Sequence, residues 1–170
     1  MTSKPEIFVD VIKFLASKLE GHQYAIRGTA SLVLHGLDFN VQDIDVIADH
    51  KTALYCNEVL EEILTEKVEY KESEKFKSYF GKFKINEILI EVYGDWQIKD
   101  SKGNWSEEFN ASAREVHQIL IDKKQVIVTT FDTELKMYLL MGRWNVYHKI
   151  KNYLRKSGNN NQEGLFKGGD

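Results

Sequence analysis

The chain carries one cysteine and one proline in 170 residues. The lone Cys56 has no partner for an intramolecular disulfide, which excludes a disulfide-stapled scaffold and suits a reducing cytoplasm. No apolar run approaches the roughly 20 residues that cross a bilayer, so no membrane role is expected. The start, MTSKPEIFVDVIKF, has no basic stretch leading into an apolar core, and no signal peptide is expected. Excess positive charge is missing too, with 23 Lys and Arg against 26 Asp and Glu and a net charge of −3. A broad grip on DNA or RNA depends on many phosphate contacts and is not expected. The five histidines, at 22, 35, 50, 117 and 148, show no paired ligand spacing, so a zinc site has no support. No Ser-His-Asp or Cys-His arrangement and no internal repeat can be read from position.

What remains is a globular profile, 42% hydrophobic and 29% charged. It suits a single domain over residues 1–156, with the apolar-poor segment 157–170 expected as a disordered tail. A first helix is expected to open at a capping box, Ser3 to Glu6, and to bury Phe8, Val11, Ile12, Leu15 and Leu19 before Gly21 ends it. A second helix is expected from about His50 to Leu64, with Ala53, Cys56, Leu60 and Ile63 facing inward. KVEYKES and SYFGKFKIN read as strands, and HQILIDKKQVIVTTF as two strands around Asp122 to Lys124. Asp95 to Ala111 reads as a polar loop whose Trp96 and Trp105 either stack on a base or pin the loop to the body. The C-terminal part reads as helical, bent at Gly142-Arg143.

Three short motifs carry the chemistry. In QDIDVIAD, Asp43 and Asp45 are two residues apart, so an extended strand points both to one face while Ile44 and Val46 bury on the other. Adjacent carboxylates repel and call for a cation, and oxygen-seeking Mg²⁺ is the natural partner. In NEILIEVYGDW, Glu91 interrupts an apolar strand, sharing a face with Leu89 and Tyr93. Three acids from two neighbouring strands could hold two Mg²⁺ ions and the phosphates of a nucleotide. YAIRGTASLVLHG reads as a strand from Tyr24 to Arg27, a turn at Gly28-Thr29, and a short helix from Ala30 to His35 capped by Gly36. Such a junction lets backbone N–H groups meet an anion, and the Thr29 hydroxyl could bind a phosphate oxygen.

In order and spacing, IRGTASLVLHG, DIDVIAD and LIEVYGD resemble the minimal nucleotidyltransferases of the DNA polymerase β superfamily, in the branch with antitoxin-type and antibiotic-modifying transferases. The resemblance spans Tyr24 to Tyr153 in element order. It implies an α/β (α+β) nucleotidyltransferase fold, a mixed β-sheet flanked by helices, with further helices at the C-terminus. It also implies roles: Asp43 and Asp45 as ligands of both metals, Glu91 as ligand of the catalytic metal and aid to the attacking hydroxyl, and Gly28 and Thr29 as holders of the outer phosphates. Lys136 is a candidate to approach the triphosphate. Three departures bear on nucleotide affinity. Thr29 stands where Gly or Ser is usual, LDFNVQDID lacks the basic residue often found before the acidic pair, and after Arg143 the chain has Asn145 and Val146 instead of a Lys-Asp run.

The activity implied is Mg²⁺-dependent transfer of a nucleoside monophosphate from an NTP, ATP foremost, to a hydroxyl of a small molecule or a protein. The rival is a non-catalytic module of the same fold that binds nucleotide or a protein partner, as an antitoxin-like domain would.

Overall fold

The computed structural model describes residues 4–167, with side chains described over 5–158. Its elements run α1 (Lys4–Lys18), β1 (Tyr24–Arg27), α2 (Gly28–Leu34), β2 (Ile44–Ala48), α3 (His50–Val59), β3 (Leu64–Glu72), β4 (Phe76–Ile85), β5 (Ile88–Ile98), β6 (Val116–Ile121), β7 (Lys124–Thr129), α4 (Phe131–Met141) and α5 (Trp144–Lys167). The seven strands form one sheet in the order β3-β4-β5-β2-β1-β7-β6. β2 pairs parallel with β5 and β1 parallel with β7, while the other neighbours are antiparallel. The mixed sheet with flanking and C-terminal helices is therefore present. Among the described residues no helix is long and apolar enough to cross a membrane.

Alternation along the central strands divides the sheet into two faces. Ile26, Ile44, Val46, Ile90 and Val92 turn into the main core, where the α1 stripe of Phe8, Val11, Ile12, Leu15 and Leu19 and the α3 residues Ala53 and Cys56 meet them. Ala25, Ile47 and Met137 occupy a second core on the opposite face, beneath α4. Asp49 caps α3 by accepting from Thr52 N–H at 2.8 Å, and Thr130 caps α4 from Thr133 N–H at 3.2 Å. Gly142, left-handed at φ 71°, closes α4 at the expected bend.

Some boundaries differ from those expected. The second helix stops at Val59, and a short 3₁₀ turn over Glu61–Ile63 leads directly into β3 at Leu64. α2 begins at Gly28 itself. α5 runs through Lys167, across most of the segment taken above as a tail; residues 168–170 and Ser3 of the expected capping box lie outside the described residues.

The expected loop from Asp95 is the largest difference, because β5 continues to Ile98. Asp95 adopts φ 46°, and three steps along β5 (Gly94 to Gln97) face two along β4 (Tyr79 to Lys77). That extra residue is a β-bulge, and it reverses the alternation. Trp96 and Ile98 thereby join the second core, on the Tyr93 side, instead of following Val92 into the first. Asp95 Oδ2 accepts from His50 Nδ1 at 2.7 Å, which ties the bulge to the start of α3.

Gly94, just before the bulge, lets α3 approach closely: a Cβ there would stand 2.6 Å from Ala53 Cβ and 3.1 Å from Tyr79 Cβ. Gly94→Ala is expected to cost about 1–3 kcal/mol of stability through overpacking, read as a lower urea midpoint. An unchanged midpoint would contradict the close helix-to-strand approach.

Candidate functional site

Strand pairing places the charged residues in a row. Arg27 of β1 stands opposite Asp45 of β2, Asp45 opposite Glu91 of β5, and Glu91 opposite Lys82 of β4. Residues paired in register share a face, so cation, two carboxylates and cation follow one another across four strands. Asp43 lies one residue before β2 and is exposed. A cleft of about 590 Å³ opens over this row, and Arg27, Asp43, Asp45, Glu91, Tyr93 and Trp96 all line it. Its size lies within the range of small-molecule sites, roughly 300–1,000 Å³. The three acids picked out in the sequence therefore face one cavity.

Beneath the cleft, Arg27 is 6% exposed and is flanked by two acids, Asp45 Oδ2 at 3.6 Å and Glu134 Oε2 at 3.5 Å. Its guanidinium also sits over the rings of Trp96 and Tyr138, 5.1 and 5.6 Å from their centroids. Burial works against its charge, but Glu134, Tyr138 and Asp45 outweigh that and hold the proton on more firmly than usual. Glu134 is wholly buried on α4. Its Oε1 accepts from Gly28 N–H at 2.7 Å and from Thr129 Oγ1 at 2.7 Å. Ser31 and Thr129 hydroxyls, 3.0 Å apart, extend the network.

The acids differ in surroundings. Burial raises the Asp45 carboxyl from 3.8 to about 6; Arg27 opposes the rise, and Glu91, Asp43 and Glu134 reinforce it. The Tyr93 hydroxyl donates to Glu91 Oε2. Burial first, then Asp45 and that bond, push the Tyr93 phenol upward, so it remains a donor. Burial likewise lifts Tyr138 to about 12.

The proposed phosphate residues are placed differently from the acids. Gly28 has the left-handed φ of 73° that favours glycine, and a Cβ there would lie 3.2 Å from Asp45 Oδ2. Its N–H, however, is held by Glu134 and is not turned to a ligand. Thr29 is half-buried and is not among the residues lining the cleft. Lys136 also lies outside it, pairing with Glu107 at 3.8 Å and passing over Phe109. The physical reason is its place on α4: Glu134, Met137 and Tyr138 form the buried stripe, and Lys136 falls off it. Arg143 does line the cleft, as do Lys71 and Phe80.

Hard carboxylate oxygens suit a divalent cation such as Mg²⁺ in kind. Among the described residues, though, no group of three or more His, Cys, Asp or Glu side chains is gathered as a metal cluster. Asp45 is turned to Arg27 and Glu91 to Tyr93, so a cation held by all three acids would displace those partners. Residue identity and strand register fit the ion; the present side-chain pairing does not yet assemble its ligands.

Sequence reasoning missed Arg27, Glu134 and Tyr93. Glu134 had a signal: it shares an i, i+3, i+4 stripe with Met137 and Tyr138, an acid on an apolar face. Arg27 lies two residues from buried Ala25 at the end of a strand, a position that alternation assigns to the Asp45 side.

No protein-family model and no curated protein matches the chain. Among solved structures, the crystal structure of a candidate nucleotidyltransferase from Thermotoga maritima is similar over 91% of this chain and 96% of that one, at 24% identity and a TM-score of 0.75. An antigenic nucleotidyltransferase-like protein from Paracoccidioides brasiliensis overlaps 79% of this chain and 65% of its own, at 17% identity; its TM-score of 0.43 is too low to carry weight. The chain has the nucleotidyltransferase fold.

Opposite stability effects are expected from the two acids beside Arg27. A carboxyl whose folded value lies above its unfolded one stabilises the fold in acid, and that contribution fades as pH rises from 3.8 through about 6. Asp45→Asn should therefore raise stability at pH 7.5, by up to about 3 kcal/mol, with the gain vanishing below about pH 4. Glu134→Gln leaves the guanidinium short of buried counter-charge and should lower stability by about 3–5 kcal/mol. Urea unfolding of both variants across pH checks the pair, and a destabilised Asp45→Asn at neutral pH would contradict the burial account.

Proposed function

We propose that the chain is a Mg²⁺-dependent cytoplasmic nucleotidyltransferase that moves a nucleoside monophosphate from an NTP, ATP foremost, to a hydroxyl of a small molecule or a protein. The observation that carries this reading is the direct pairing of Asp45 with Glu91 in parallel strands, with Asp43 on the same cleft of a nucleotidyltransferase fold.

Asp43, Asp45 and Glu91 would hold the ion. Mg²⁺ would supply charge neutralisation for the triphosphate and the departing pyrophosphate. In the transfer, the acceptor oxygen bonds to the α-phosphorus as the bridge to the β-phosphate breaks, and pyrophosphate leaves with that electron pair. Glu91 would take the acceptor's proton. Tyr93 now donates to Oε2; with that oxygen given over to the ion in place of Tyr93, Oε1 would be left for the proton. Arg143 and Lys71 would offset phosphate charge at the cleft.

Two features favour the non-catalytic reading. Arg27 already pairs with Asp45, and Glu134 already takes the Gly28 N–H that a phosphate would use. A domain with those positions internally satisfied could serve as a nucleotide or protein-partner module with no transfer.

The readings part in one assay. Wild type is incubated with labelled ATP, GTP, CTP or UTP, Mg²⁺ and a lysate of acceptors, and labelled product and pyrophosphate are measured. Transferase activity predicts both signals, with a loss of at least about a hundred-fold in Asp45→Asn and in Glu91→Gln, as removal of metal-held charge stabilisation implies. Saturable Mg·ATP binding with no product would favour the module instead.

A further inference from the structure

Three buried side-chain atoms among the described residues have no hydrogen-bond partner, and two of them, Arg27 Nε and Trp96 Nε1, belong to residues lining the cleft. The third, Glu134 Oε2, faces Arg27 at 3.5 Å. Arg27 and Trp96 are 6% and 2% exposed, so water offers little compensation. A buried donor left unpaired is costly, and native structures rarely keep one without a reason. The two residues are neighbours, the guanidinium carbon lying 5.1 Å from the Trp96 ring centroid. The terminal nitrogens of Arg27 are also loosely engaged. Their distances of 3.6 and 3.5 Å to Asp45 and Glu134 exceed the roughly 2.7–2.9 Å of a charge-assisted hydrogen bond.

We propose that Arg27 and Trp96 form an oxyanion-receiving floor in the cleft, which binds a non-bridging phosphate oxygen of the nucleotide. This rests on the nucleotidyltransferase reading and reassigns the phosphate contact that the Gly28 N–H, held by Glu134, does not make. Both groups are donors only, so their ligand must supply oxygen acceptors, and the guanidinium selects an anion. Charge balance explains why the site would fill together with a cation. Arg27 now faces two carboxylates; a divalent ion taken up by Asp45 removes one of them as its counter-charge. The guanidinium is then left with Glu134 alone and an unmet preference for a second anion. Cation and phosphate would therefore bind cooperatively, with Arg27 exchanging Asp45 for the ligand.

Calorimetric titration of Mg·ATP, Mg·tripolyphosphate and adenosine into wild type, Trp96→Phe and Arg27→Lys tests this. Trp96→Phe keeps an aromatic ring and deletes one donor; Arg27→Lys keeps the charge and deletes the fork. Each should weaken Mg·ATP and Mg·tripolyphosphate by about ten-fold or more, and leave adenosine unaffected. Wild-type affinity for Mg·ATP in both variants overturns the proposal while leaving the nucleotidyltransferase reading in place. Binding of Mg·tripolyphosphate but not Mg·ATP by wild type, weakened in the variants, keeps the anion floor and removes the nucleotide. Binding of neither overturns both. If Arg27→Lys does not fold, Trp96→Phe decides alone.

Discussion

Arg27 is a guanidinium sealed beneath a cleft between two carboxylates that come from different elements, Asp45 on β2 and Glu134 on α4. Neither Arg27 nor Glu134 would be tolerable as a lone charge at that depth, and their pairing with each other and with half-buried Asp45 lets them coexist. The same Glu134 carboxylate fixes the Gly28 N–H, so strand pairing, the start of α2 and the docking of α4 share one electrostatic junction. Gly28 is required there twice over, for its left-handed backbone and because a side chain would press on Asp45. The candidate site is built directly on this junction.

From that junction outward, each acid has its own character. Asp45 is half-buried, its carboxyl pushed upward by desolvation, and is answered by Arg27. Glu91 stands beside it, held by a Tyr93 hydroxyl that stays protonated. Asp43 lies at the exposed mouth. A step from half-buried to exposed acid suits a site where charge is neutralised on binding and restored on release. Net burial of like charge also explains why an internal arginine is needed before any ligand arrives.

The acid pattern was legible because strand alternation is strict where it matters: Asp45 and Glu91 fall on one face of two strands that prove to be neighbours. The α1 stripe was legible for the same reason, since five residues at helical spacing all bury. Trp96 was not, because the left-handed residue at Asp95 inverts the alternation, and no local signal marks an acid as a bulge. Arg27 and Glu134 were hidden by distance, being 107 positions apart in number yet joined only when α4 folds over β1. Lys136 was chosen by its charge, whereas its side of α4 is set by the stripe of its neighbours. The register that brings charges together is a tertiary property, and spacing alone reached only the part confined to single strands.

The central claim is that the Asp43, Asp45 and Glu91 carboxylates gather a divalent cation once Arg27 releases Asp45. A crystal structure of the protein soaked with Mn²⁺ and a non-hydrolysable ATP analogue tests it most directly, because Mn²⁺ is located by its own anomalous scattering. The account predicts an anomalous peak within coordination distance of Asp45 and Glu91, with the guanidinium of Arg27 turned from Asp45 to a phosphate oxygen. A peak away from these carboxylates, or a nucleotide bound with the Arg27–Asp45 pair intact and no metal between the acids, would contradict it.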